Sequence, residues 1–156
     1  MNHWLPLIRF LGIRLAIYLV AVAVTYVLAS VTATQSVVSS LGSMGVPLSF
    51  GERTSMTLGD IGGMAGMLLP MVAFGLLIAF MATALICRYL DQWRVPLYVI
   101  AGAAALLCMH LLLNLAFSIT PVAIARSAGG LMIQAMAGAA GGLTYVLMSR
   151  ARFARF

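Results

Sequence analysis

Four long apolar stretches constrain this chain more than any other feature of its sequence. They run over residues 14–33, 64–87, 96–117 and 128–148. About 20 apolar residues in a helix cross the ~30 Å hydrocarbon core of a bilayer. Backbone amides in lipid must be paired within the chain, which leaves helices or closed barrels, and barrel strands alternate apolar and polar side chains. These stretches are continuously apolar, so the sequence predicts a single all-α domain, an integral membrane bundle of four transmembrane helices.

The arginines predict how this bundle is oriented. The chain is 63% hydrophobic, 8% charged and has a net charge of +6. If the helices alternate, Arg53 and Arg126 lie on one side and the other seven lie opposite: Arg9, Arg14, Arg88, Arg94, Arg150, Arg152 and Arg155. Basic residues near helix ends favour the cytoplasmic side. We therefore expect an N-in/C-in protein of the bacterial inner membrane, with the lipid bilayer as a partner and no nucleic acid.

The segment 34–63 is expected to form one long outer loop. It is rich in Ser and Gly and contains Pro47. At its end, Thr57 and Asp60 match the Ser/Thr-x-x-Asp/Glu pattern of a helix start. A carboxylate in a first turn is favoured by the helix dipole, so Asp60 is read as part of a plain cap. The alternative is a salt bridge between Asp60 and Arg126, which opens the fourth helix on the same side.

The connection 88–96 is short, which predicts that the second and third apolar helices are antiparallel neighbours. Pro96 suits a first helical turn because its missing N–H has no partner there in any case.

Small residues recur at helical spacing in the second and fourth helices. Such faces let transmembrane helices approach closely. The pattern leaves open whether the packing partner is in this chain or in another subunit. The positions are Gly59/Gly63 and Gly62/Gly66 in the second helix, and Gly130, Gln134, Gly138 and Gly142 in the fourth.

Three polar side chains interrupt the apolar helices. His110 and Asn114 share a face of the third helix, and Gln134 lies in the first third of the fourth. Unpaired polar groups are costly in hydrocarbon, so we expect all three to face a protein interface. They form either an interhelical hydrogen-bond clamp or a pocket for a quinone, a lipid headgroup or a small solute.

No arrangement of residues predicts a catalytic or metal site. The three acidic residues Glu52, Asp60 and Asp91 fall on two sides of the membrane, and no CxxC pairs Cys87 or Cys108. A haem would need a second axial ligand beyond His110. The methionines lack a Cys or His partner for copper. The sequence predicts no cofactor. A quinone and a lipid are the ligands that it does not exclude.

The chain resembles uncharacterised four-helix bacterial inner-membrane proteins. The resemblance is carried by the Ser-rich outer segment, the Thr57–Asp60 motif TLGD, the SITP stretch at 118–121 followed by Ala-Arg, and the Gly/Ala-rich last helix. It implies the same four-helix fold and brings no activity, ligand or residue role.

Together these features favour a non-enzymatic accessory or structural subunit of a larger inner-membrane complex, in contact with other membrane subunits. Two alternatives remain open. One is a small oligomeric transporter or channel, and the other is a quinone- or lipid-binding subunit that partners a periplasmic dehydrogenase.

Overall fold

The chain folds into α-helices, and most of them are as long as a membrane span. The computed structural model describes residues 5–46, 48–117 and 127–153. Its helices are α1 (Leu5–Ser43), α2 (Phe50–Gly63), α3 (Ala65–Ile86), α4 (Arg94–Phe117) and α5 (Ala128–Phe153). No strand occurs in these described ranges, which confirms the all-α prediction. The four helices α1, α3, α4 and α5 are long and apolar enough to cross a membrane, so the protein is of the multi-pass membrane class.

The predicted outer loop 34–63 is wrong, because most of it is helical. Helix α1 continues ten residues beyond the predicted end, to Ser43. The Ser and Thr side chains there do not break the helix, because they bond to its own backbone. Ser40 Oγ donates to the Ser36 carbonyl at 3.0 Å, and Ser43 Oγ donates to the Ser40 carbonyl at 2.7 Å. Such back-bonding places Ser and Thr inside a helix while satisfying their hydroxyls.

The N-cap of helix α2 lies eight residues before Thr57, where the sequence predicted the cap. The N-cap is Ser49, in a capping box with Glu52. The Ser49 backbone N–H donates to Glu52 Oε2 at 2.7 Å. Thr57 instead lies inside α2, where its hydroxyl donates to the Arg53 carbonyl at 2.8 Å. Asp60 is therefore near the C-terminal end of α2, and the interpretation of Asp60 as a first-turn cap is wrong.

Helices α4 and α5 pack backbone to backbone through glycine. A Cβ atom built on Gly138 would overlap the carbonyl group of Gly102, and one built on Gly142 would overlap the carbonyl group of Tyr98. Only glycine allows this approach, which brings the two backbones into van der Waals contact. The helix that packs on these glycines of α5 therefore belongs to the same chain.

Helix α1 lies against both α5 and α3. A Cβ atom on Gly141 of α5 would overlap the Thr25 side chain and lie 3.2 Å from the Ala21 carbonyl oxygen. The Tyr18 hydroxyl of α1 donates to the Ala73 carbonyl of α3. These contacts pack α1 against both helices.

The short connection between α3 and α4 makes them neighbours, as predicted, and Pro96 lies in the first turn of α4. An aromatic cluster packs close to this connection. The Phe80 ring lies 5.5 Å from the Tyr98 ring and 4.7 Å from the Tyr145 ring of α5. Aromatic pairs at such distances stabilise a core beyond their buried area, so α3, α4 and α5 are joined at this end of the bundle.

Candidate functional site

The structure brings two of the three predicted polar residues together inside the bundle. His110 of α4 is 3% exposed and Gln134 of α5 is 1% exposed. Their side chains interact with each other. Gln134 also reaches α1, where its Nε2 donates to the Ala29 carbonyl at 3.1 Å and lies 3.5 Å from Thr32 Oγ1. The pair therefore links α4, α5 and α1 at one level.

Asn114 does not join them, because its side chain is exposed. Our expectation that all three side chains face a protein interface is therefore not met by Asn114 within this chain. Asn114 lies one helical turn beyond His110, near the first turn of α5, which begins at Ala128. The adjacent Leu113 is buried, so Asn114 differs from it in the direction that it faces.

Two atoms of the His110–Gln134 pair have no hydrogen-bond partner. Among the described residues, His110 Nε2 and Gln134 Oε1 are both buried and unpaired. They are chemically complementary, because an imidazole that carries its proton on Nε2 supplies the donor that Gln134 Oε1 lacks. An unpaired donor and an unpaired acceptor can bond each other across the helices, or each can bond a small polar molecule.

A second polar group lies where α1 meets the end of α2. Tyr26, Ser30 and Thr34 follow each other at intervals of four residues and so share one face of α1. Thr34 Oγ1 donates to Asp60 Oδ2 at 2.8 Å, and the Tyr26 hydroxyl donates to the Ile61 carbonyl. The contact with Thr34 was not predicted, because the first helix was expected to end at residue 33. The interval of four between polar residues was the signal that pointed to it.

The proposed ion pair between Asp60 and Arg126 stays a prediction. Arg126 lies outside the described residues. The partner that the structure gives Asp60 is Thr34.

The two polar groups form one layer of the bundle. Gln134 bonds to the carbonyl of Ala29, which directly precedes Ser30, and Ser30 is one turn from Thr34. We use the name polar layer for His110, Gln134, Ser30, Thr34 and Asp60. It lies toward the end of the bundle where α1 leads into α2.

The polar layer offers hydrogen-bonding groups and a single carboxylate. Within the part of the chain that the structure describes, no group of three or more His, Cys, Asp or Glu side chains is placed to hold a metal ion. His110 is buried there and contacts Gln134. The arrangement can therefore donate and accept hydrogen bonds.

Comparison of the chain with protein-family models, with curated proteins and with solved structures gave no match in any of the three.

Proposed function

We propose that this protein is a non-enzymatic subunit of a larger membrane complex, and that it binds a neighbouring membrane protein through a glycine face. We define the glycine face by Gly59, Gly62, Gly63 and Gly66, at the end of α2 and the start of α3. The observation that carries the proposal is that a Cβ atom on any of these glycines would meet nothing within 4 Å.

The glycines of the glycine face differ from the glycines of α5 in what they contact. Gly138 and Gly142 face another backbone within the chain, whereas the glycine face is left open. Glycine costs a helix about 1 kcal/mol relative to alanine. Small residues at intervals of four offset that cost in membranes when a second helix packs on them. No second helix among the described residues packs on the glycine face, so a helix of another subunit is the occupant we propose.

The neighbouring surface of α3 supports the same conclusion. Of the four membrane-length helices, α3 is the least buried. Beside it, an open groove of about 840 Å³ runs between α3 and α4. Its lining side chains are apolar apart from the Cys108 thiol, and from α3 they include Pro70, Met71, Phe74 and Ile78. Side chains of a partner helix can fill such a groove.

A substitution on the glycine face tests the proposal. The wild-type protein, extracted in mild detergent from its native membrane, should elute with a stoichiometric partner. Gly62→Leu should elute alone with an unchanged melting temperature, because space is open around Gly62 within the chain. Gly129→Leu is the matched control, since Gly129 is equally open but lies in α5. Partner loss in both variants, or in neither, contradicts the proposal.

We also propose that the protein lies in a bacterial inner membrane with both termini in the cytoplasm. The support is the seven-to-two distribution of arginine between the two sides. A phosphatase that is active only in the periplasm should be active when fused at Gly45, in the turn between α1 and α2, and inactive when fused after Phe156. The opposite pattern reverses the orientation.

A second candidate function is favoured by the unpaired atoms of the polar layer. His110 Nε2 and Gln134 Oε1 offer a buried donor and acceptor to a small solute or a quinone. In that case the chain is a small oligomeric transporter or a quinone-binding subunit. Purification separates the three functions: a different protein as partner indicates the accessory subunit, a homo-oligomer the transporter, and extractable quinone the quinone-binding subunit.

A further inference from the structure

We propose that the junction of α1 with the end of α2 binds a monovalent metal cation such as sodium. The ligands are oxygen atoms of Asp60, Thr34, Ser30, Tyr26 and Ile61, which we call the oxygen cluster. This inference does not rest on the proposed function.

The oxygen cluster is assembled by contacts between two helices. Thr34 Oγ1 lies 2.8 Å from Asp60 Oδ2 and 3.1 Å from the Ser30 carbonyl oxygen. The Tyr26 hydroxyl bonds to the carbonyl of Ile61, the residue after Asp60. A carboxylate, hydroxyls and backbone carbonyls are hard oxygen ligands, which alkali and alkaline-earth cations prefer over nitrogen and sulfur.

Ser30 supplies an independent reason to expect a ligand here. Its side chain is fully buried, and its Oγ has no hydrogen-bond partner in the described part of the chain. The Ser30 side chain lies against the Tyr26 phenol, whose hydroxyl is at Ile61. Ser30 Oγ is therefore next to one member of the oxygen cluster, the Tyr26 hydroxyl. A buried hydroxyl without a partner is costly, and a bound cation would accept its lone pair.

The backbone at the cluster also offers carbonyl oxygens. Helix α2 ends at Gly63, α3 begins at Ala65, and Met64 between them caps both helices. The last carbonyls of a helix have no partner within that helix. Interrupted membrane helices use such ends, with free carbonyls and a nearby acid, to hold sodium ions or protons.

The charge of the cluster selects a monovalent ion. Asp60 is its one carboxylate, and the other ligands are neutral. Divalent sites in proteins generally combine several carboxylates, and no group of three or more acidic, His or Cys side chains occurs in the described ranges. A single positive charge is neutralised by Asp60 alone.

Sodium binding by the purified full-length protein tests the proposal directly. Radioactive sodium should bind with a stoichiometry near one per chain, and unlabelled sodium should compete. Replacing choline chloride by sodium chloride at constant ionic strength should raise the melting temperature in a saturable way, because a ligand that binds only the folded state stabilises it.

Variants assign the site. Asp60→Asn should weaken sodium binding about tenfold or more, because a charged ligand is lost. Thr34→Val keeps the shape of the side chain and should weaken binding as well, which covers the case that Asp60→Asn does not fold. Glu52→Gln is the control, since Glu52 is an exposed acid of the same helix, and it should bind sodium as the wild type does.

Three results would overturn the proposal. The first is no saturable sodium binding by the wild-type protein. The second is equal binding by the wild type and Thr34→Val. The third is calcium binding that sodium does not compete with. If Asp60 pairs with Arg126 instead, Asp60→Asn and Arg126→Gln should destabilise the protein equally, and neither the wild type nor the variants should respond to sodium.

Discussion

Replacing Gly138 by alanine tests the closest helix contact in the bundle. The new Cβ would overlap the carbonyl carbon and oxygen of Gly102. These are backbone atoms that cannot rotate away, so α4 and α5 must separate. Overpacking of this kind costs about 1–3 kcal/mol, and alanine returns up to about 1 kcal/mol through its higher helix propensity. We expect Gly138→Ala to lower the free energy of unfolding by about 1–2 kcal/mol.

The control is the same substitution in the same helix. Gly129 has nothing within 4 Å of its Cβ position, so Gly129→Ala should leave stability unchanged or raise it by up to about 1 kcal/mol. Both variants are compared by SDS-induced unfolding in mixed micelles, followed by circular dichroism. The double variant Gly102→Ala/Gly138→Ala should cost less than the sum of the single changes, because one separation of the helices relieves both contacts. If Gly138→Ala is as stable as Gly129→Ala, the close α4–α5 contact is wrong.

Two further predictions concern hydrogen bonds. Ser49→Ala removes the N-cap of α2 and should cost about 1 kcal/mol locally, seen as faster hydrogen exchange in the first turn. The hydroxyl and backbone N–H of Ser49 lower the pKa of Glu52. The capping interaction is therefore complete above the ordinary pKa of Glu, and it is lost as the pH falls through the lowered pKa of Glu52. Fraying of the first turn that is independent of pH would contradict this interaction. Gln134→Leu breaks the link to Ala29 and should lower stability by about 0.5–2 kcal/mol, whereas Asn114→Leu, at an exposed position, should leave the same SDS unfolding curve unchanged. Equal losses would refute this role of Gln134.

Hydropathy predicted the four membrane-length helices because spanning a bilayer requires about 20 apolar residues in sequence. It did not predict where α1 ends. The Ser-rich segment looked like a loop, since Ser and Thr compete for backbone hydrogen bonds. In the structure their hydroxyls bond within the helix, and Val38 is buried at 2% exposure. Packing against α2 therefore outweighs the weak local preference.

The start of α2 could not be predicted from the sequence for a different reason. The sequence has two matches to the capping pattern, at Ser49–Glu52 and at Thr57–Asp60. Both are chemically able to cap a helix. Only the backbone decides, since Ser49 is in an extended conformation outside the helix and Thr57 is inside it. A pattern of four residues cannot distinguish these cases.

The polar layer was half predictable from the sequence. The cost of burying polar groups indicated that His110 and Gln134 need partners, and the antiparallel order of α4 and α5 brought them to one level. The contact of Thr34 with Asp60 joins residues 26 positions apart. Contacts of this kind depend on how two helices are rotated about their axes, which neither composition nor spacing determines.

Site-specific photo-crosslinking in the native membrane tests the central claim most directly. Met67 on α3, beside the glycine face, and Leu147 on α5 are both 52% exposed, so a photoreactive amino acid at either position has equal access to its surroundings. Our account predicts that position 67 crosslinks to one other polypeptide in high yield and that position 147 crosslinks mainly to lipid. Crosslinking to lipid alone at both positions would contradict a partner on this face.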